Sequence, residues 1–329
     1  MRAALEGYAN RLWYQHRRPP WLLRALARVH ETLWRHRWKR PGEQPPVPVV
    51  VVGNLSVGGG GKTPVVITLA HELAAAGRRP AILCRGYRRQ SSVPVQQVAS
   101  DADPAQVGDE SVLLAQATGL PVWVGRQRRA ALEAAVKAGA DVVISDDGLQ
   151  HRQLPRSLEI VLIDGQRGFG NGWLLPAGPL RQPVERLQSA DIVLRRGKAT
   201  DVGLPGQPVE MRPEALIRLA DGQHFSARHF GQRGVSAVCG IANPGQFVAT
   251  LQALGLRPAL RAFPDHHRYV ASDLAGLAGP ILTTAKDAVK LARLAAELSL
   301  HEIFVLQISA QLPPDVTSRV IDHVQQFQP

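Results

Sequence analysis

A β-branched apolar run from Val47 to Val52 leads into Ser56-Val57-Gly58-Gly59-Gly60-Gly61-Lys62-Thr63, and a helical pattern follows over 64–77. Strand, glycine loop, Lys-Thr and helix in this order restrict the fold more than any other feature. Glycines let the backbone turn inward, so that its N–H groups face an anion. The helix behind the loop aims the positive end of its dipole at the same point. Lys62 then supplies a mobile positive charge, and Thr63 a hydroxyl for Mg²⁺. This is the layout of a nucleoside-triphosphate phosphate-binding loop, with Gly58, Gly59, Gly60, Gly61, Lys62 and Thr63 as its contacts, and alone it does not separate a kinase from an ATPase, a GTPase or a motor. The general pattern has Gly at the position of Ser56. A flexible turn with a chance Lys-Thr is the bland alternative, and the strand before and helix after the loop count against it.

The rest of the chain reads as α/β. Strands are expected at 47–53, 80–84, 121–124, 140–146, 158–164 and 190–195, with helices at 64–77, 109–118 and 126–138. The strands are near-continuous apolar runs, as buried parallel strands should be. The expectation is a P-loop NTPase-like, mostly parallel sheet with helices on both faces. Gly and Pro then recur every few residues from Gly203 to Pro213. Beyond them, strands near 235–240, 258–263, 280–284 and 303–308 and helices at 244–254, 286–299 and 315–327 suggest a second, smaller α/β domain. The expected units are 1–45, 46–205 and 206–329. Cys84 and Cys239 lie in apolar runs, and neither a disulfide framework nor a zinc spacing is present.

Charge is concentrated at the start. Of the formal +12, residues 1–40 carry +8, and they hold Trp13, Trp21, Trp34 and Trp38. Leu22, Leu26, Val29 and Leu33 fall on one helical face, with Arg24, Arg28 and Arg35 largely off it. Basic residues mixed with Trp suit the headgroup layer of an anionic membrane. A nucleic-acid arm and a helix simply packed on the domain are the rival readings. Residues 41–329 carry only +4, which argues against nucleic acid. No apolar run approaches the roughly 20 residues of a spanning helix.

Several short strings stand at strand ends, where an α/β sheet builds its sites. Asp146-Asp147-Gly148 ends the strand 140–146 and offers carboxylates for Mg²⁺, with the two acids unranked; an Asp-Gly turn is the alternative. Arg85-Gly86-Tyr87 follows the strand 80–84 and offers substrate contacts, or an ordinary turn. Gly108-Asp109-Glu110 opens a helix. The turn-rich but apolar stretch Gly170–Arg181 can shape a pocket with Arg181 reaching phosphate. In Asp265-His266-His267, neighbouring side chains of an extended segment point to opposite sides, so one His paired with a carboxylate is expected, not a metal pair. Lys286 lies within reach of a phosphate or a carboxylate, or is a solvated first-turn lysine.

Taken in order, VGNLSVGGGGKTP (52–64), CRGY (84–87), GDE (108–110), DDGLQH (146–151), LLPAGPLR (174–181), FPDHHRY (263–269) and TTAKDAVKL (283–291) resemble the tetraacyldisaccharide 4'-kinase family, the lipid A 4'-kinases of Gram-negative bacteria. The resemblance covers nearly the whole chain, and the family carries Ser or Thr at the position of Ser56. It implies transfer of the ATP γ-phosphate to the 4'-hydroxyl of a lipid A disaccharide 1-phosphate precursor. It also implies a basic N-terminal helix lying on the cytoplasmic face of the bacterial inner membrane; no nucleic acid is expected, on the charge of residues 41–329, and no obligate protein partner is evident in the chain. By the same resemblance Asp109 is the base, His266 tunes it, and Lys62 serves catalysis and the phosphates. Thr63, Asp146 and Asp147 serve Mg²⁺, and Arg85, Tyr87 and Arg181 the substrate. Ala285 and Gln182 depart from the family's usual Glu at those positions. A membrane-recruited regulatory ATPase is the alternative reading; it would have no need of His266.

Overall fold

The computed structural model describes residues 2–15, 18–38, 43–58, 60–197, 203–231 and 233–328. Gly59 of the glycine loop, Arg17, Lys39 and Arg40 of the basic segment, and Pro41 of the linker that follows lie outside them. Two helices open the chain, α1 (Arg2–Tyr14) and α2 (Trp21–Trp38), where one was expected. The first half then runs β1 (Val49–Gly53), α3 (Lys62–Ala75), β2 (Pro80–Cys84), β3 (Val95–Val98), α4 (Pro104–Val107), α5 (Asp109–Thr118), β4 (Val122–Gly125), α6 (Arg128–Lys137), β5 (Val142–Asp146), β6 (Leu158–Asp164) and β7 (Ile192–Arg196). The second half runs β8 (Gln207–Arg218), β9 (His224–Phe225), β10 (Val235–Cys239), α7 (Pro244–Ala253), β11 (Pro258–Ala262), α8 (Ala271–Leu274), β12 (Ile281–Thr284), α9 (Ala285–Glu297), β13 (Ile303–Gln311) and α10 (Pro314–Gln326).

The main path of the sheet is β11-β10-β12-β13-β8-β7-β6-β1-β5-β2-β4-β3. The pairs are parallel apart from β13·β8, β8·β9 and β3·β4. β1 lies between β5 and β6, with Val50 beside Ile144 on one flank and Leu158 on the other. Its side chains are buried on both faces, which is why Val49–Val52 is uniformly apolar and does not alternate. Val50 and Val52 join one core with Val65, Val66 and Leu69 of α3. Val49 and Val51 face the other core, with Ala131, Leu132 and Ala135 of α6.

β8 joins the two halves. Leu194 to Arg196 of β7 pair in parallel with Gln207 to Val209, while Glu210 to Arg218 pair antiparallel with β13. The register shifts between Gln307 and Ile308, opposite Ala215 and Pro213. A bulge there accommodates a proline that donates no hydrogen bond. The boundary expected between 205 and 206 thus falls just before a strand that both halves share. α10 also crosses back, and Val316, Val320 and Val324 pack in the core beneath α3.

One polar cluster in this half is wholly structural. Glu159 on β6 accepts from Arg156 Nη1 at 2.8 Å and from the fully buried Arg186. Removing one member of a buried ionic cluster strands the others without their counter-charge. Glu159→Ala is therefore expected to cost about 3–5 kcal/mol, read as a fall in the urea midpoint. A loss below about 1 kcal/mol, the range of an exposed pair, would refute the buried-cluster account.

Candidate active site

The glycine loop follows β1 at the carboxyl edge of the sheet. Gly61 caps α3 with φ 84°, in the left-handed region that a side chain resists. A Cβ there would lie 3.2 Å from both Arg196 Cδ and Met211 Cε, so β7 and β8 close on the loop. Asn54, which is buried, spans the loop from within. Its Nδ2 donates to Gly58 O at 3.3 Å, and its Oδ1 accepts from Lys62 Nζ at 3.1 Å. Lys62 also lies 3.3 Å from Asp147 Oδ1. Thr63 follows on the first turn of α3.

Asp146 and Asp147 end β5 with opposite fates. Asp147 turns into the left-handed region at φ 50°, which Asp tolerates better than most residues. There Arg181 Nη1 donates to it at 2.8 Å. Burial pushes the Asp147 carboxyl up, but the charges of Lys62 and Arg181 outweigh that and hold it well below the ordinary range. Asp146 is 5% exposed, and its Oδ1 has no hydrogen-bond partner among the described residues. Burial first, then the nearby Glu110 carboxylate, pushes Asp146 up to about 7. A buried, unpartnered carboxylate oxygen beside a phosphate loop is the donor that a hard divalent cation takes.

Arg181 arrives by a strand-like annexation. Arg181 N donates to Leu55 O at 2.6 Å, Val57 N donates to Pro179 O at 2.8 Å, and Ser56 bridges Leu180. The apolar stretch 170–181 is thus stitched along the outside of the glycine loop, and Arg181 also donates to Gln150 Oε1 at 3.0 Å.

The second half completes the cleft. His266 Nδ1 lies 2.9 Å from Asp109 Oδ2, the two coming from a loop after β11 and from the first turn of α5. Asp109 is 7% exposed. Burial would raise its carboxyl, but the His266 hydrogen bond and the charges of Lys286 and Lys290 hold it below the ordinary range. Tyr87 lays its ring 4.9 Å from that of His266. Gly86 and Gly108 make this contact possible: a Cβ on Gly108 would sit 3.1 Å from Gly86 Cα. His267 faces away, paired with Asp273 at 2.8 Å and stacked on Phe263, so the two histidines diverge. Arg85 is exposed at the rim.

Three features of the site escaped the sequence. Asn54 as the acceptor for Lys62 is one. Arg196, paired with Asp164 at 2.7 Å and pressed against Gly61, is another. The third is Arg128, which is buried and donates to Asp146 O at 3.1 Å. Each is a polar residue at a strand end or helix start, which is the only signal that sequence offers for it.

A family model described as LpxK, tetraacyldisaccharide-1-P 4'-kinase, matches residues 19–325. A tetraacyldisaccharide 4'-kinase of Alkalilimnicola ehrlichii is 47% identical and covers 92% of this chain and 93% of its own. One of Dechloromonas aromatica is 44% identical and covers 97% of each. The crystal structure of LpxK from Aquifex aeolicus in complex with ATP matches with a TM-score of 0.74 at 28% identity, over 92% of this chain and 97% of that one.

The Asp147 cluster has a pH signature. A carboxylate whose folded pKa is depressed adds stability above its unfolded value, about 3.9, and loses it as pH falls further. Between pH 7 and roughly pH 5 the thermal midpoints of the native chain and Asp147→Asn should keep a constant separation. Below about pH 4 that separation should shrink. A separation that stays constant down to the acid-unfolding limit would mean that Lys62 and Arg181 do not hold the charge.

Proposed function

The chain belongs to the tetraacyldisaccharide-1-P 4'-kinase family, and from that premise we propose how its cleft carries out the transfer. The reaction moves the γ-phosphate of ATP to the 4'-hydroxyl of a lipid A disaccharide 1-phosphate precursor. The observation that carries the assignment of roles is the 2.9 Å contact between Asp109 and His266, made across the two halves of the chain.

A sugar hydroxyl is a poor nucleophile until a base takes its proton as the new bond forms. Asp109 is the base. His266 donates from Nδ1 and fixes the carboxylate's orientation, and the ring of Tyr87 closes over the pair. Lys62 and the backbone N–H groups of Gly58, Gly60 and Gly61 take the β- and γ-phosphates, and Gly59 belongs with them by sequence. Thr63 and Asp146 would hold Mg²⁺, which would supply positive charge against that of the phosphates. Asp147 acts from behind by keeping Lys62 and Arg181 in place. Arg181, released from Asp147 by an incoming anion, contacts substrate, as does Arg85 at the rim. The units 46–205 and 206–329 act as the two jaws, with the shared strand β8 as their common wall.

The acceptor is a lipid, and the outer face of α2 suits its surroundings. Leu22, Leu26, Val29 and Leu33 are between 48% and 57% exposed, and Trp21 is 72% exposed. The opposite face holds the helix down through Leu23 and Ala27. No helix among the described residues is long and apolar enough to cross a membrane. Full burial of a Leu or Val is worth about 1.5–3 kcal/mol. These side chains are already half covered, so the stripe gives a reversible hold, to which each nearby Arg adds about 1 kcal/mol at an anionic surface. The reading is a peripheral enzyme on the cytoplasmic face of the bacterial inner membrane, where ATP and the lipid meet.

Two experiments test this reading. With γ-labelled ATP and purified lipid A disaccharide 1-phosphate in micelles, the native chain should label the lipid. Asp109→Asn should lower kcat by about 10²–10⁴-fold with KM for ATP little changed; an unaltered kcat would remove Asp109 from the role of base. In the second, Leu26→Glu with Val29→Glu should abolish co-sedimentation with phosphatidylglycerol vesicles while ATP binding persists. Undiminished sedimentation would discard the α2 stripe as the membrane face.

A further inference from the structure

Lys286 opens α9, and its ammonium is drawn into the cleft rather than out to solvent. Nζ lies 3.1 Å from Glu110 Oε1, 3.2 Å from Asp265 Oδ1 and 3.3 Å from His266 Nε2. The groups that face the His266 ring come from every element packed around it. Asp109 and Glu110 lie on α5, Tyr87 in the loop after β2, Asp265 on its own loop, and Lys286 on α9. Lys286 is the only cation of this set within hydrogen-bond distance of the ring.

An ammonium carries three hydrogens and no lone pair, so it can only donate. Toward Nε2 it therefore requires a bare nitrogen. With Nε2 accepting, the imidazole proton must reside on Nδ1, where it meets the carboxylate oxygen of Asp109 2.9 Å away. The opposite tautomer would set an N–H against the ammonium and leave the Nδ1 lone pair facing the Asp109 carboxylate. Burial works against the Lys286 charge, but Glu110, Asp265 and Asp109 outweigh it and push the ammonium's pKa upward, so the donor stays a donor.

We infer that Lys286 is a positioning residue for the transfer: it holds His266 in the neutral Nδ1–H tautomer that orients Asp109. The benefit is chemical. A neutral N–H donor fixes the carboxylate's direction yet depresses its basicity less than an imidazolium would, and basicity is what the proton transfer draws on. The Glu110 and Asp265 carboxylates on Lys286 offset part of the charge that it presents to Asp109. Ala285 leaves the neighbouring position without a carboxylate that could compete for the ammonium. This inference rests on the proposed roles of Asp109 and His266, and its spectroscopic test stands apart from them.

The test is ¹⁵N-histidine NMR of the full-length native chain in detergent micelles, with Lys286→Met, Lys286→Arg and a His266→Gln reference for assignment. The native chain should show His266 with an unprotonated Nε2 and a hydrogen-bearing Nδ1. Lys286→Met should move both nitrogens toward a tautomeric average and lower kcat roughly 10- to 100-fold, with KM for ATP unchanged. Lys286→Arg, which keeps a donor, should restore much of kcat and of the Nδ1–H signature. A native chain carrying its proton on Nε2 overturns the inference whether or not the Lys286 variants fold. So does Lys286→Met with the native tautomer. A native chain that labels no lipid would defeat the kinase reading instead, and the tautomer measurement would still decide the place of Lys286.

Discussion

β8 is hydrogen-bonded along both of its edges, and the cleft depends on it. On one side Gln207 to Val209 extend the parallel sheet that ends in the glycine loop; on the other, Glu210 to Arg218 lock onto β13. Backbone groups buried in a sheet cannot exchange partners cheaply, because an unpaired N–H or C=O away from water costs about as much as a lost hydrogen bond. The two halves therefore share a wall. They also share a core, where Val316, Val320 and Val324 of α10 pack beneath α3, and polar contacts cross the cleft: His266 on Asp109, Lys286 on Glu110, and Arg167 Nη2 on Ala242 O at 3.0 Å. The polar contacts thus meet across a sheet that runs unbroken through both halves.

Within the cleft, charge is distributed so that neighbouring carboxylates do different work. Asp147 has two cations and is held ionised. Asp146 has burial, the Glu110 carboxylate nearby and an oxygen without a partner. Titratable pairs whose environments push them apart mark a division of labour. Sequence left the two acids unranked. Their surroundings favour Asp146 as the one that faces a cation directly, because Asp147 is already committed to Lys62 and Arg181. The same economy governs Asp109, whose own helix neighbour Glu110 is turned away toward Lys286.

Local pattern recovered the regular parts of the molecule. The largely apolar runs at 80–84 and 158–164 are strands with those very limits, and 109–118 is a helix with those limits, because burial on both faces and an acidic first turn leave direct marks in the chain. β8 left no such mark. Gly203, Gly206, Pro208 and Pro213 break its periodicity, and its buried residues change face, with Val209 and Met211 packing in one core and Leu216 in another. A strand whose partners lie on opposite flanks and whose proline sits at a bulge does not read as one. At the site, the divergence of His266 and His267 was expected from an extended segment, but His266 sits in a turn at φ 61°, so the outcome agrees and its expected cause does not. The pairing of His266 with Asp109, 157 residues away, came from the family resemblance and not from local pattern, and the partner of His267, Asp273, was not foreseen although it lies only six residues on. Lys286 was placed within reach of a carboxylate and meets Glu110 and Asp265, whereas Asn54 went unmarked beside Lys62 at the same loop, because a short polar side chain in a loop gives no sign of where it points.

The N-terminal helices bear on the chemistry through an unexpected intermediary. Trp13 Nε1 donates to Pro176 O at 3.3 Å, and His30 Nδ1 lies 3.0 Å from Leu175 O. Asn171 Nδ2 donates to Leu12 O at 3.2 Å. All three contacts fall on the stretch 170–181, whose far end is hydrogen-bonded to Leu55 and Val57 and delivers Arg181 to Asp147. The helix with the exposed apolar stripe is thus one layer removed from the glycine loop, held to that layer by side-chain hydrogen bonds while the layer itself is backbone-bonded to the loop. A surface that takes up the stripe fixes, through that layer, the height and tilt at which Arg181, Lys62 and Asp109 meet it. That is the geometric requirement of any enzyme whose acceptor is anchored in a membrane while its donor arrives from water.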